Sequence, residues 1–198
     1  MLTFSVGALV TLRRRSFGRE DLHFAFLGMA FLLLETKSIG DCTLYFGTTW
    51  LVTTIVVAGV LLMVMAGNTV ADRIRAFSFR LYAPLFATLL LLLAVPRETV
   101  LAFDFTGRLL WALLAVPLPV FFAGIIFSTT FRAAKSPSAA FGANLIGAML
   151  GGFCEYLGML VGNQRLSLLV IVLYLASWLV LRVTRRGPDA GWPAAAAS

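Results

Sequence analysis

An all-α bundle of membrane-spanning helices is the fold this sequence predicts, on three observations. Of its 198 residues 60% are hydrophobic and only 13% are charged, and mean hydropathy is +0.94. Soluble domains run at about 45–50% apolar and about 25% charged. The apolar residues fall in runs close to the roughly 20 that a helix needs to cross a bilayer core. Lysine and arginine gather on alternate sides of those runs. The composition excludes intrinsic disorder, and the run lengths nearly exclude a water-facing enzyme fold.

Six spans are expected, in order His23–Phe46, Thr49–Gly67, Leu81–Val95, Leu109–Phe131, Phe141–Gly162 and Leu166–Leu181. A short seventh at the N-terminus, Leu2–Leu12, reads as the end of a transmembrane helix or a short tilted one. A signal peptide carries its positives before the apolar run, whereas Arg13, Arg14 and Arg15 follow this one. Pro117 and Pro119 fall inside the fourth span and should kink it, because proline removes a donor and crowds the preceding turn. Ser136-Pro137 is a helix start, with serine as cap and proline at the first helical position. The helical domain is expected over residues 1–186, and the Ala-, Pro- and Gly-rich 187–198 as a disordered tail.

Orientation follows from the sixteen basic residues. Alternating sides at each span places Arg13, Arg14, Arg15, Arg19, Arg73, Arg75, Arg80, Arg132, Lys135, Arg182, Arg185 and Arg186 on one side. The other side holds Arg97, Arg108 and Arg165, and Lys37 falls within a span. The richer side is cytoplasmic by the positive-inside rule, so the expected place is a bacterial cytoplasmic membrane with the C-terminus inside. The net charge of +7 is then an orientation signal. Nucleic acid is not an expected partner, since the basic residues are scattered over short loops without an aromatic platform. Cys42 and Cys154 read as isolated apolar thiols, and neither a zinc pattern nor a disulfide framework is present. No cofactor is expected, and no HExxH, GxSxG, P-loop or GxGxxG pattern occurs. His23, the single histidine, is expected at the interface.

Four ionisable residues lie within expected spans: Glu35, Lys37, Asp41 and Glu155. A charge at the bilayer centre costs about 2.5–3.5 kcal/mol on insertion scales, so such residues face partners or a wet route. Lys37 and Glu155 come out at equal depth, and a Lys37–Glu155 pair is expected. A proton or ion route through the four is the competing reading. Ser38-Ile39-Gly40-Asp41-Cys42-Thr43 is polar enough to break its helix or line a wet cavity. On the fifth span, Ala143, Gly147 and Gly151 recur every four residues beside Ala148 and Gly152, the spacing that lets helix backbones approach closely. Asn144 can hydrogen-bond across such a contact, and Gly28 and Gly59 are candidate receiving surfaces. The same helix is a candidate interface with a protein partner or a second copy.

Two stretches carry a family resemblance: Gly28-Met-Ala-Phe-Leu-Leu-Leu-Glu35-Thr-Lys37 with Leu44-Tyr-Phe-Gly-Thr-Thr-Trp50, and Phe141-Gly-Ala-Asn144-Leu-Ile-Gly147-Ala-Met-Leu-Gly151-Gly152-Phe-Cys-Glu155-Tyr. From about Leu22 to Leu181 the chain resembles the multispanning membrane region of bacterial spermidine synthase-like proteins, where membrane helices are fused to an aminopropyltransferase-like domain. Within these residues there is no glycine-rich nucleotide loop and no composition of such a domain. The resemblance therefore implies a membrane part and transfers no catalytic residue to any position. The expected function is a non-enzymatic membrane subunit or membrane domain that anchors or assists a partner. A small transporter or ion-translocating protein is the alternative.

Overall fold

The computed structural model describes residues 18–47, 50–74 and 77–186. The 2–12 segment, Arg13 to Arg15 and the 187–198 tail lie outside them. Every regular element among the described residues is helical. Helix α1, Arg19–Phe46, starts where the Gly18 N–H donates to the Asp21 carboxylate at 3.0 Å, with Glu20 and Asp21 in the first turn complementing the helix dipole. It stops at Gly47, whose φ of 89° suits a residue without Cβ. The Gly47 N–H closes the last turn on the Thr43 carbonyl at 2.9 Å.

Helix α2 is Trp50–Arg73 and α3 is Tyr82–Ala94, the latter entered through a 3₁₀ turn at Phe79–Leu81. Two short helices, α4 Arg97–Leu101 and α5 Phe105–Leu110, cross one end of the bundle. Asp104 caps α5 by accepting from the Gly107 N–H at 2.9 Å. The chain continues through a π turn at Trp111–Ala115 into α6, Leu118–Arg132. The kink expected from the two prolines is this wide turn. Pro117 has no N–H to give and its ring would crowd the carbonyl four residues back, so the ladder opens by one residue ahead of it. Helix α7 is Pro137–Val161 and α8 is Asn163–Arg186, with Gly162 at φ 88° between them.

Among the described residues five helical stretches are long and apolar enough to cross a membrane: Arg19–Phe46, Val52–Arg73, Phe105–Arg132, Pro137–Tyr156 and Arg165–Arg185. Phe79–Ala94 is a shorter apolar helix. The expected polar break at Ser38–Thr43 does not occur. Ser38 Oγ donates to the Leu34 carbonyl and Thr43 Oγ1 to the Gly40 carbonyl, both at 2.7 Å. These side chains return their polarity to the helix backbone, and α1 runs through unbroken.

Helix α1 is the hub, packed against α7, α8 and α2, while α2 packs mainly on α6 and α3 leans on α6 and α8. Leu33 and Leu34 of α1, Val60 of α2, Leu85 of α3, Val120 and Ile126 of α6, and Val170 and Tyr174 of α8 fill the centre. The outer faces are equally apolar: Leu61 and Met65 of α2, Met149 and Phe153 of α7, and Val172 of α8 are all more than half exposed. A water-soluble bundle would bear polar groups there, so this surface is one for lipid.

Candidate functional site

The closest helix approach is the seam between α1 and α7. A Cβ on Gly28 would sit under 3.0 Å from the Asn144 carbonyl, and one on Gly147 equally close to the Ala25 carbonyl. A Cβ on Gly151 would come within 2.5 Å of the Met29 carbonyl, and one on Gly152 within 3.3 Å of a Leu32 methyl. Ala143 lies buried on the same helix beside Phe24 and Ala140. Residues advance together on the two helices (Ala25 to Gly147, Met29 to Gly151), so α1 and α7 run parallel. The expected small-residue surface is thus filled by α1 of the same chain, and the interface expected for a partner or second copy is not free on that face. Gly59 does not receive α7: it faces Pro117 and Leu113 at 3.6 and 3.9 Å, taking up the π turn.

The four ionisable residues separate. Lys37 Nζ donates to Asp41 Oδ2 one turn along the same helix, and Arg97 Nη2 donates to Asp41 Oδ1 at 3.2 Å. Arg108 Nη1 reaches the Tyr45 carbonyl at 3.3 Å. Together these bonds strap α4 and α5 across the end of α1. The expected Lys37–Glu155 pair is not formed. Lysine finds a carboxylate within its own helix at i+4, while the α1–α7 register sets Glu155 nearer the level of Glu35. Glu35 is half-buried and Glu155 is exposed on α7, flanked by Phe153 and Tyr156 at 67% and 65% exposure.

Removing only the carboxylate from this strap would leave Lys37, 9% exposed, without its counter-charge. Asp41→Leu is expected to cost about 2–3 kcal/mol of unfolding free energy in bicelles, below the 3–5 of a fully buried pair because Arg97 stays partly in solvent. Lys37→Met/Asp41→Leu should recover most of that loss. Additive losses in the double-mutant cycle would show that the two do not act as a pair.

A second polar cluster was not expected from the sequence. His23 is fully buried, not interfacial, and it joins four helices near the opposite end. Its Nδ1 lies 2.8 Å from Ser177 Oγ on α8, and its Nε2 lies 3.4 Å from Thr130 Oγ1 on α6. Tyr82 OH of α3 is 3.0 Å from Ser177 Oγ. Thr130 Oγ1 donates to the Ile126 carbonyl of its own helix at 2.8 Å, so it accepts from the histidine. That assigns the Nε2–H tautomer, makes Nδ1 the acceptor of the Ser177 hydroxyl, and leaves the Ser177 oxygen to accept from Tyr82. Every proton in the chain then has a destination, ending on a backbone carbonyl. Ser177, Thr130 and His23 are each 0% exposed, so the cluster ties the helices together without meeting solvent or substrate. Tyr174 OH, one turn earlier on α8, is buried with no partner among the described residues. The signal that could have found the cluster is spacing: Ser177 falls on the buried stripe of α8 with Val170, Leu173, Tyr174 and Leu181.

Cys42 is buried, lining an apolar cavity of about 260 Å³ with Phe46, Val56 and Phe105. No group of three His, Cys, Asp or Glu side chains is placed to hold a metal among the described residues. No family model, curated protein or solved structure matches the chain.

Proposed function

We propose that this chain is a non-enzymatic membrane subunit or membrane domain that anchors or assists a partner protein, crossing a bacterial cytoplasmic membrane six times. The sixth crossing is the shorter Phe79–Ala94 helix. The basic residues support the orientation: Arg19, Arg73, Arg80, Arg132, Lys135, Arg182 and Arg185 belong to one end of the bundle, and Arg97, Arg108 and Arg165 to the other. The first end is then cytoplasmic, as is the end of α8.

Glu155 carries the reading. It lies about 27 Å along α7 at 1.5 Å per residue, exposed one turn beyond Gly151, where the close contact with Met29 of α1 ends. An exposed carboxylate at that depth is costly, and intramembrane charges find partners. Here two basic side chains near that level, Lys37 and Arg97, are engaged with Asp41. The partner on this reading brings a membrane helix with a basic residue near the non-cytoplasmic surface. The resemblance to spermidine synthase-like membrane regions adds that such a partner serves a synthase-like domain.

Purification from native membranes in mild detergent, followed by intact-mass and composition analysis, tests this. The expected result is a stoichiometric complex that dissociates in Glu155→Gln while the variant's own helix content is unchanged. A wild-type chain found alone, with substrate-dependent flux in liposomes that vanishes in Glu155→Gln, would overturn the anchoring role in favour of transport.

A further inference from the structure

Helices α2 and α7 share no substantial contact although both border α1 and α6, and the gap between them is a cavity of about 230 Å³. Its lining is graded. Asn68 of α2, Ser128 of α6 and Asn144 of α7 supply polar side chains, and Leu27, Phe31 and Val64 supply apolar ones. Apart from Phe127, which lines the cavity at the level of Asn68, depth sorts the two kinds. Counting about 1.5 Å per residue from the Arg-rich end, Ser128 lies about 6 Å in, Asn68 about 8 Å and Asn144 about 10 Å. By the same rise Leu27 lies about 12 Å in, Val64 about 14 Å and Phe31 about 18 Å. Helices of 24 to 28 residues measure about 36–42 Å, so each end overhangs a core of about 30 Å by about 3–6 Å. The polar side chains therefore sit at the edge of the hydrocarbon and the apolar ones run toward its middle.

Hydrogen bonding narrows the ligand. Ser128 Oγ donates to Asn68 Oδ1 at 2.5 Å, which leaves the Asn68 NH₂ as the group with protons to give. Among the described residues no hydrogen bond engages the Asn144 side chain, so its NH₂ is a second donor. No charged side chain lines the cavity. Two amide donors without a cation suit an uncharged acceptor oxygen. The volume falls below the roughly 300–1,000 Å³ of drug-sized ligand pockets, which fits a stretch of one chain and not a bulky ring system. Just beyond, at headgroup level, Arg132 is held by the Ala71 carbonyl and the Asp72 carboxylate.

We infer that this cavity is a binding site for one ester-linked acyl chain of a glycerolipid in the leaflet at the Arg-rich end. The ester carbonyl accepts from the Asn68 and Asn144 amides, and the first methylenes lie along Leu27, Val64 and Phe31. The assignment needs the bilayer but not the proposed partner, and Glu155 takes no part in it.

The test uses the full chain reconstituted in an equimolar mixture of diacyl phosphatidylcholine and its dialkyl ether analogue, which lacks the carbonyl. Retained lipid is then read by native mass spectrometry after mild detergent release. The expected result is one lipid per chain, with the diacyl form enriched at least about fivefold, the ratio that each net hydrogen bond is worth. Asn144→Leu should bring that ratio toward unity while lipid is still retained. Gly124→Leu should lower retention of both lipids, because Gly124 lines the cavity and a Cβ there meets only ordinary contact with Val64 at 3.9 Å. Val64→Phe, on the facing wall, does the same by another route and serves if Gly124→Leu loses helix content. Equal retention of ester and ether lipid, or retention unchanged by both filling variants, would overturn the inference.

Discussion

Gly147→Ala is expected to cost about 3 kcal/mol of unfolding free energy in bicelles, the top of the overpacking range, and Gly147→Val to prevent assembly. The reason is what a Cβ would meet. At Gly147 it meets the backbone of Ala25, carbonyl first, and backbone inside a helix cannot step aside as a side chain can. The α1–α7 axes must separate, which also opens the contacts of Gly28 with Asn144 and of Gly151 with Met29. Loss of this seam removes the longest packing surface of the hub helix. In a bilayer it is not restored by burial of apolar surface, since lipid is as apolar as the partner helix and close van der Waals contact supplies the attraction. Gly142 on the same helix is the control, because nothing lies within 4 Å of a Cβ there. Gly142→Ala should be neutral or stabilising by up to about 1 kcal/mol through helix propensity. If Gly147→Ala and Gly142→Ala unfold alike, the seam does not hold the bundle as described.

The seam was legible in the sequence because its signal is local. Ala143, Gly147 and Gly151 repeat at the helical period, and only small residues permit such an approach. The helical class and the positions of the apolar segments were legible for the same reason, since segment length and charge spacing are properties of neighbouring residues. What could not be read was pairing between distant segments. Depth arithmetic placed Lys37 level with Glu155, but depth along an axis carries no azimuth. The nearer acid, Asp41, is one turn away on the same face and prevails by proximity. Counting charges by side puts Arg97 and Arg108 on the side poor in arginine, and only the folded chain shows that they lie over Asp41 and Tyr45. The polar run Ser38–Thr43 was read as a break because hydroxyls can disrupt a helix, whereas in place they bond the preceding turn of their own backbone.

His23→Ala is expected to destabilise by about 3–5 kcal/mol, combining a cavity with polar groups stranded in the core. The imidazole is the one side chain that touches both Ser177 and Thr130, so without it the Ser177 hydroxyl loses its acceptor. Tyr82→Phe removes only the outer bond of the chain and should cost about 1 kcal/mol. Because both act through Ser177, the losses should not add: the double change is expected to fall short of the sum by about 0.5–1 kcal/mol. The tautomer gives a readout independent of stability. Nitrogen-15 spectra of the folded protein should report protonated Nε2 and bare Nδ1. Thr130→Val, which takes away the acceptor facing Nε2, should shift the population toward the Nδ1–H form, now able to donate to the Ser177 carbonyl 3.3 Å away. A spectrum unmoved by Thr130→Val would mean that Ser177 alone sets the imidazole, and the link from α1 to α6 would have to be credited to Phe24 packing on Phe127 and Phe131. A shift would identify the histidine as a directional tie, carrying one ordered run of protons from α3 through α8 and α1 to the backbone of α6.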